Sequence, residues 1–147
     1  MKNEETNLQL LQKFIPPGTF ELVIPYFKIH CIHLTISRER KSILGDYRHP
    51  TGKNPAHRIS VNASLNPYSF LITLLHEIAH MLVFIRFKNT VSPHGKEWKA
   101  QFQQILISNM FQLLQKQTDL TVQLVLVLWD ITVSSPKTTF YMVAMKT

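Results

Sequence analysis

Three histidines and a glutamate lie close together in residues 76–95, HEIAHMLVFIRFKNTVSPHG. His76 and His80 are four residues apart in an otherwise apolar run, so on a helix they share one face, about 40° apart. Two imidazoles so placed can bind one Zn²⁺ at about 2.0–2.1 Å each. The metal lowers the pKa of a bound water toward about 7, and Glu77 can carry the water's proton to a leaving amine. This HExxH spacing predicts zinc-assisted hydrolysis, with Glu77 as the acid/base.

A catalytic zinc usually has three protein ligands, so one more is needed. The candidate is His94, fourteen residues after His80, beyond the loop KNTVSP and at the start of the next predicted helix. If that helix folds back along the first, His94 approaches the same cleft. Gly95 is expected to let the backbone turn tightly there.

The same residues also have a reading without a metal. His76 and His80 would then be one buried and one solvated histidine bridged by Glu77, and His94 would be a surface residue at a helix start. Burying three ionisable groups without a metal is costly, which favours the metal site.

The elements that must position these residues follow from periodicity and from the glycine and proline positions. Asn66 and Pro67 form a cap and first turn for the helix that carries the HEIAH segment. The patterns predict helices over residues 3–18, 19–28, 67–87 and from about 94 to 115, strands over residues 29–37, 42–48 and 57–62, and a hairpin over residues 121–133 and 138–146. This order predicts an α+β domain, with one small sheet packed on helices.

Apolar residues on the predicted long helix indicate which side enters the core. One set lies opposite the histidines and is expected to be buried: Leu71, Leu74, Ile78, Met81 and Ile85. Trp98, one turn after His94, is expected to be a core residue that braces the helix carrying this ligand.

The chain is basic, with 16 Lys and Arg against 9 Asp and Glu in 147 residues and a net charge of +7. Such a charge favours acidic partners, nucleic acid among them. The Arg38–Arg58 segment holds six cations, two histidines and an aromatic residue: Arg38, Arg40, Lys41, Arg48, Lys53, Arg58, His49, His57 and Tyr47. It predicts weak, non-specific DNA binding through phosphates, although a solvated hairpin has the same composition.

Cys31 is the single cysteine, so neither an internal disulfide nor a cysteine-rich zinc module is expected. A reducing, intracellular and cytoplasmic setting follows as the expectation, and the polar N-terminus does not resemble a signal peptide. His30 and His33 flank Cys31, but on a strand they point to opposite faces and form no second metal site. The apolar residues 70–87 carry His76, Glu77 and His80 in their middle, which favours a buried helix and no membrane partner.

Four motifs carry a resemblance to a known family: LGDYR, HRISVN, TLLHEIAHML and HGKEWK. In order and spacing they resemble SprT-like zinc metallopeptidases over about residues 34–111. The resemblance implies a zincin-like fold with an HExxH active-site helix, His76, His80 and His94 as ligands of one Zn²⁺, and Glu77 as the catalytic residue. Eukaryotic relatives, called Spartan, cleave proteins crosslinked to DNA.

The chain departs from the family pattern at its end. Many members carry a C-terminal zinc ribbon with paired cysteines, but no cysteine follows Cys31, and the tail from about Gln115 matches no motif. We therefore expect one SprT-like domain over residues 1–147 without a zinc ribbon.

Three functional hypotheses follow. The first is a zinc-dependent endopeptidase that hydrolyses proteins, including proteins associated with DNA. The alternative is a non-catalytic, zinc-stabilised nucleic-acid-binding module, and the third is an intact fold with negligible peptidase activity. Glu77 favours the first, because a structural zinc site has four protein ligands and needs no base. Tyr47, Arg48 and Tyr68 remain alternatives for stabilising the oxyanion.

Overall fold

A mixed three-stranded sheet packs on a long central helix in the computed structural model, which describes residues 8–116. Residues 8–11 form a helical turn. The elements that follow are α1 (Phe20–Ile29), β1 (Ile32–Ser37), β2 (Gly45–Arg48), β3 (His57–Asn62), α2 (Pro67–Phe87) and α3 (Lys96–Lys116). The domain is α+β, as predicted. The expected hairpin over residues 121–133 and 138–146 lies outside the described residues.

The sheet has the strand order β1-β3-β2. β1 runs parallel to β3, with Ile32 opposite His57, and β2 runs antiparallel to β3, with Gly45 opposite Val61. Because side chains alternate between the two faces of a strand, Leu34 and Ile59 share one face and are buried against the helices. Tyr47 lies opposite Ile59 in the register, and so β2 directs this aromatic residue to the helical side of the sheet.

The central helix α2 begins with the predicted cap. The side-chain Oδ1 of Asn66 accepts a hydrogen bond from the backbone N–H of Ser69 at 2.9 Å, and Pro67 occupies the first turn, where a missing N–H costs nothing. Four of the five residues predicted for the buried face are fully buried: Leu71, Leu74, Ile78 and Met81. Ile85 was predicted to be buried as well, but it is 36% exposed because it lies in the last turn.

α2 is also long and apolar enough to cross a membrane, judged by length and composition alone. In the fold, 61% of its most apolar 18-residue window is buried. Packing of α2 against β2, β3 and α3 accounts for this apolar surface.

Several element bounds differ from the sequence prediction. α1 continues through Pro25 to Ile29, and the backbone N–H of His30 then bonds to the carbonyl of Tyr26 at 2.9 Å. β1 therefore begins at Ile32 rather than at residue 29, since the preceding residues complete a helix. β2 begins at Gly45 rather than at residue 42, and the side chain of Asn62 donates to the carbonyl of Ile43 at 2.8 Å.

Candidate metal centre

The three histidines of the predicted site lie together. The Nε2 atom of His80 is 3.2 Å from that of His76 and 3.0 Å from that of His94, and the remaining side of the triangle is 3.0 Å. α2 provides the first two side chains one turn apart, and the loop before α3 provides the third. Within residues 8–116 this is the one cluster of histidine, cysteine or acidic side chains with metal-binding spacing.

His94 reaches the cluster through a tight turn. Its φ is 56°, in the left-handed region that few non-glycine residues adopt, and the N–H of Gly95 bonds to the carbonyl of Ser92 at 3.0 Å. Gly95 was expected to let the backbone turn tightly here; the turn is present, and its positive φ belongs to His94. Gly95 provides space instead, since a Cβ there would lie 3.0 Å from the Ser92 carbonyl oxygen.

Trp98 fixes the rings of all three histidines. It is 3% exposed, and its ring centroid lies 4.6 Å from those of His76 and His94 and 5.3 Å from that of His80. The predicted core position is confirmed, and the indole contacts the whole cluster rather than only the helix of His94. Rings packed in this way keep the nitrogen atoms converging on one point.

Burial keeps the three imidazoles neutral. It lowers the pKa of His76 far below its ordinary value, with the charges of His80 and His94 adding to the effect, and it lowers the pKa of His80 to about 4. The pKa of His94 is also lowered by burial. Neutral imidazole is the form that binds metal ions, so the cluster is ready for a cation at neutral pH.

The distances also fit a zinc ion. Two ligand atoms of a tetrahedral zinc at about 2.0–2.1 Å lie about 3.3 Å apart, close to the 3.0–3.2 Å between these nitrogen atoms. Three neutral imidazoles with protons on Nδ1 would direct three Nε2 lone pairs at one point, an arrangement that a cation stabilises. These residues can hold a metal ion.

Glu77 lies beside the cluster in a nearly closed environment. It is 6% exposed, and burial raises the pKa of its carboxyl to about 8, with the charge of Asp46 adding to this and that of Arg40 opposing it. β2 passes so close that a Cβ on Gly45 would lie 2.7 Å from both Glu77 Oε1 and Thr73 Cγ2. Gly45 is therefore a site residue that the sequence prediction did not identify, although LGDYR contains it.

A cleft of about 330 Å³, which we call the His80 cleft, opens beside the cluster. It is lined by Tyr47, His49, His80, Val83, Phe84, Lys88, Asn89, Val91, Ser92, Pro93 and Trp98. Tyr47 enters it from β2, and its Oη lies 2.9 Å from Nδ1 of His57. The cleft is bordered by the candidate metal ligand His80.

The cleft distinguishes the three candidates for oxyanion stabilisation. Tyr47 shares the cleft with His80. Arg48 instead pairs with Asp46 at 2.9 Å on an exposed part of β2, and Tyr68 lies eight residues before His76, about 12 Å away along the helix. Of the three, Tyr47 is the one whose side chain lines the cleft.

Several cations of the basic segment Arg38–Arg58 are paired with other side chains or partly buried. Arg40 Nε donates to Asn62 Oδ1 at 2.9 Å, Arg48 is paired with Asp46, and Arg58 has a buried Nε atom. The exposed cations of the segment that have no such contact are Arg38, Lys41 and Lys53. The surface available to phosphate is therefore smaller than the sequence suggests.

Comparison with known proteins identifies the class. The α+β architecture and the His76–His80–His94 cluster accompany a match to the model of the SprT-like family over residues 18–121. The chain belongs to the SprT-like family. The match includes α1, which lies outside the range of about 34–111 expected from motifs. No match was found among the curated proteins or among the solved structures.

Proposed function

We propose that the protein is a zinc-dependent endopeptidase with a zincin-like active site on α2. The observation that carries this proposal is the convergence of three histidine Nε2 atoms within 3.0–3.2 Å of one another beside a buried glutamate. Membership of the SprT-like family supports metallopeptidase-type chemistry.

In the proposed site, His76, His80 and His94 hold one Zn²⁺. When bound, zinc supplies a Lewis acid for the scissile carbonyl and a water of lowered pKa. The histidines hold their rings in place by packing on Trp98, so the ligand geometry does not have to be reorganised during the reaction.

Glu77 moves the proton in this mechanism. One carboxylate oxygen accepts a proton from the attacking water, and the carboxyl then returns it to the nitrogen of the leaving amine. Burial raises the pKa of this carboxyl to about 8, and a nearby dication lowers it again. The result is a group that is basic enough to take the proton and acidic enough to release it near neutral pH.

Tyr47 is our candidate for the oxyanion donor. A hydrogen-bond donor aimed at the carbonyl oxygen stabilises the negative charge that develops there. The hydrogen bond with His57 fixes the phenol hydroxyl. When Nδ1–H of His57 donates to Oη, the phenol proton remains available for the substrate. A Tyr47→Phe substitution tests this role. Tyr68→Phe, on the first turn of α2, is the matched control.

We propose proteins associated with DNA as the substrate class, with the chain binding DNA weakly and without sequence preference. The exposed cations Arg38, Lys41 and Lys53 support this, as does the overall charge of +7. The alternative is a non-catalytic zinc module that binds nucleic acid. Such a site has four protein ligands, whereas three converge here within the described residues. His49 and His57 instead contact Phe84 and Tyr47.

The decisive experiment combines metal analysis with a protein-cleavage assay on the wild type and the Glu77→Gln variant. We expect one zinc per chain in both proteins and activity at least about 100-fold lower in the variant, because acid–base catalysis typically contributes 10²–10⁴-fold. Wild-type activity in the variant would show that the assigned mechanism is wrong. Absence of stoichiometric zinc from the wild type would refute the site itself.

A further inference from the structure

The His80 cleft has a wall of aromatic rings. Phe84 follows His80 by one turn of α2, and the ring of His49 stacks on it with centroids 4.5 Å apart and planes 7° apart. The ring of Tyr47 lies 6.4 Å from that of Phe84 at an interplanar angle of 57°. Three rings therefore line the opening: Tyr47 from β2, His49 just after β2 and Phe84 from α2.

These rings are fixed in place. The hydrogen bond between Tyr47 and His57 restrains one ring, and the stacking of His49 on Phe84 restrains two more. Trp98 lines the same cleft and is 3% exposed. A rigid set of aromatic faces and edges favours a ligand that is itself a flat ring, because ring pairs prefer offset or edge-to-face contact.

The charge at the cleft selects against cations. Lys88 lines the opening, and its Nζ lies 5.1 Å from the centroid of Phe84. None of the eleven residues lining the cleft is acidic. A lysine or arginine side chain would meet a like charge with no carboxylate to neutralise it, whereas Val83, Val91 and Pro93 offer apolar contact.

We propose that the His80 cleft binds a flat aromatic side chain of the protein substrate, adjacent to the bond that is cleaved. This specificity rests on the proposed peptidase function. A nucleobase is also flat, but the exposed cations Arg38, Lys41 and Lys53 do not line the cleft, so a nucleotide there would find only Lys88 for its phosphate. The composition of the cleft favours a peptide.

The test uses the zinc-loaded Glu77→Gln protein, so that binding is measured without turnover. Blocked pentapeptides acetyl-Ala-Ala-X-Ala-Ala-amide, with Phe, Ala or Lys at X, are titrated by peptide-observed NMR. We expect the Phe peptide to bind at least tenfold more tightly than the Ala peptide and the Lys peptide to bind most weakly. Equal affinities, or binding of none of the three, would overturn the proposal.

Two substitutions locate the preference in the cleft. In the Glu77→Gln background, Val83→Trp fills it from α2, and Val91→Trp fills it from the loop outside the core helix. Both are expected to remove the preference for Phe, while Ile85→Trp on an exposed position of α2 leaves it intact. A preference that persists in either folded cleft variant, or is lost equally in Ile85→Trp, would place the aromatic site elsewhere.

Three further outcomes separate this proposal from its alternatives. Displacement of the Phe peptide from the cleft by a short oligothymidine, at a concentration at which the Ala peptide does not displace it, would identify a nucleobase site and overturn the assignment. If the wild type hydrolyses peptides without regard to Phe, the cleft assignment fails and the peptidase function stands. If the Phe preference in binding is found but the wild type hydrolyses nothing, the peptidase function fails and the aromatic site stands.

Discussion

His94 pairs a candidate metal-ligand role with a backbone conformation that is unfavourable for most residues. Its φ of 56° is typical of strained positions, which persist where the surrounding structure determines them and which cluster at functional sites. The turn is closed by the Ser92–Gly95 hydrogen bond. The strain supports a role for this side chain beyond that of a surface histidine.

His94→Ala is expected to weaken both zinc binding and activity, because it removes one of three ligands. Glu77→Gln, by contrast, is expected to lose activity alone. The helix that carries Trp98 should remain folded, because its apolar contacts with Phe102 are unchanged. Zinc affinity by competition with a chelator and helical content by circular dichroism test both points. Zinc held as tightly as in the wild type would show that another residue is the third ligand.

Gly45 provides a second test at the residue scale. Its missing side chain lets β2 lie against Glu77, so Gly45→Ala is expected to displace the carboxylate or the strand. Overpacking of this kind typically costs about 1–3 kcal/mol in the free energy of unfolding, and peptidase activity should fall while zinc stays bound.

Gly52→Ala is the matched control, because a Cβ at Gly52 meets no atom within 4 Å. Urea unfolding and cleavage assays on both variants make the comparison. If Gly45→Ala retains wild-type stability and activity, the close approach of β2 to Glu77 is not needed for function.

At the scale of elements, the buried ionisable side chains of α2 lower the folding stability of the metal-free protein in a pH-dependent way. Burial lowers the pKa of His76 and His80 below the value of about 6.5 found in unfolded chains. As pH falls below about 6.5 the unfolded state therefore takes up more protons, and stability decreases. Glu77 acts in the opposite direction between its unfolded pKa of 4.5 and about 8, since its pKa is raised.

The histidine effect is isolated in the metal-free Glu77→Gln protein. We expect its urea midpoint to be lower at pH 5 than at pH 7.5, and we expect His76→Ala in the same background to reduce that difference. Midpoints that are equal at the two pH values would show that the imidazoles are not kept neutral by the fold.

The elements differ in how far their sequence determines them. The cap at Asn66, the span of α2 and the shared face of His76 and His80 are local properties, and the sequence predicted them. The left-handed turn at His94 and the approach of Gly45 to Glu77 depend on contacts between distant parts of the chain. For the same reason the sequence left Tyr47, Arg48 and Tyr68 as equal candidates, and only the lining of the His80 cleft distinguished Tyr47.

At the scale of the whole molecule, the charge of +7 predicts salt-dependent binding to DNA. We expect replacement of Arg38, Lys41 and Lys53 by Gln to reduce the slope of log affinity against log salt by about 2–3, because each phosphate contact contributes about 0.7–0.9. Fluorescence anisotropy with a random oligonucleotide measures the slope.

Lys13 and Lys28 are exposed cations outside this segment, and their replacement by Gln is the control. An equal effect per removed charge in both sets would indicate general charge attraction rather than a binding surface. Wild-type affinity that does not change between low and moderate salt would exclude phosphate binding altogether.

The candidate metal ligands and the parts that enclose Glu77 come from different stretches of chain. The candidate ligands His76, His80 and His94 all belong to the contiguous segment formed by α2, the following loop and α3. Gly45 and Tyr47 belong to β2, which must dock before the carboxylate is shielded and the cleft has its wall. Under the proposed function, metal binding and substrate cleavage would therefore depend on different stretches of the chain.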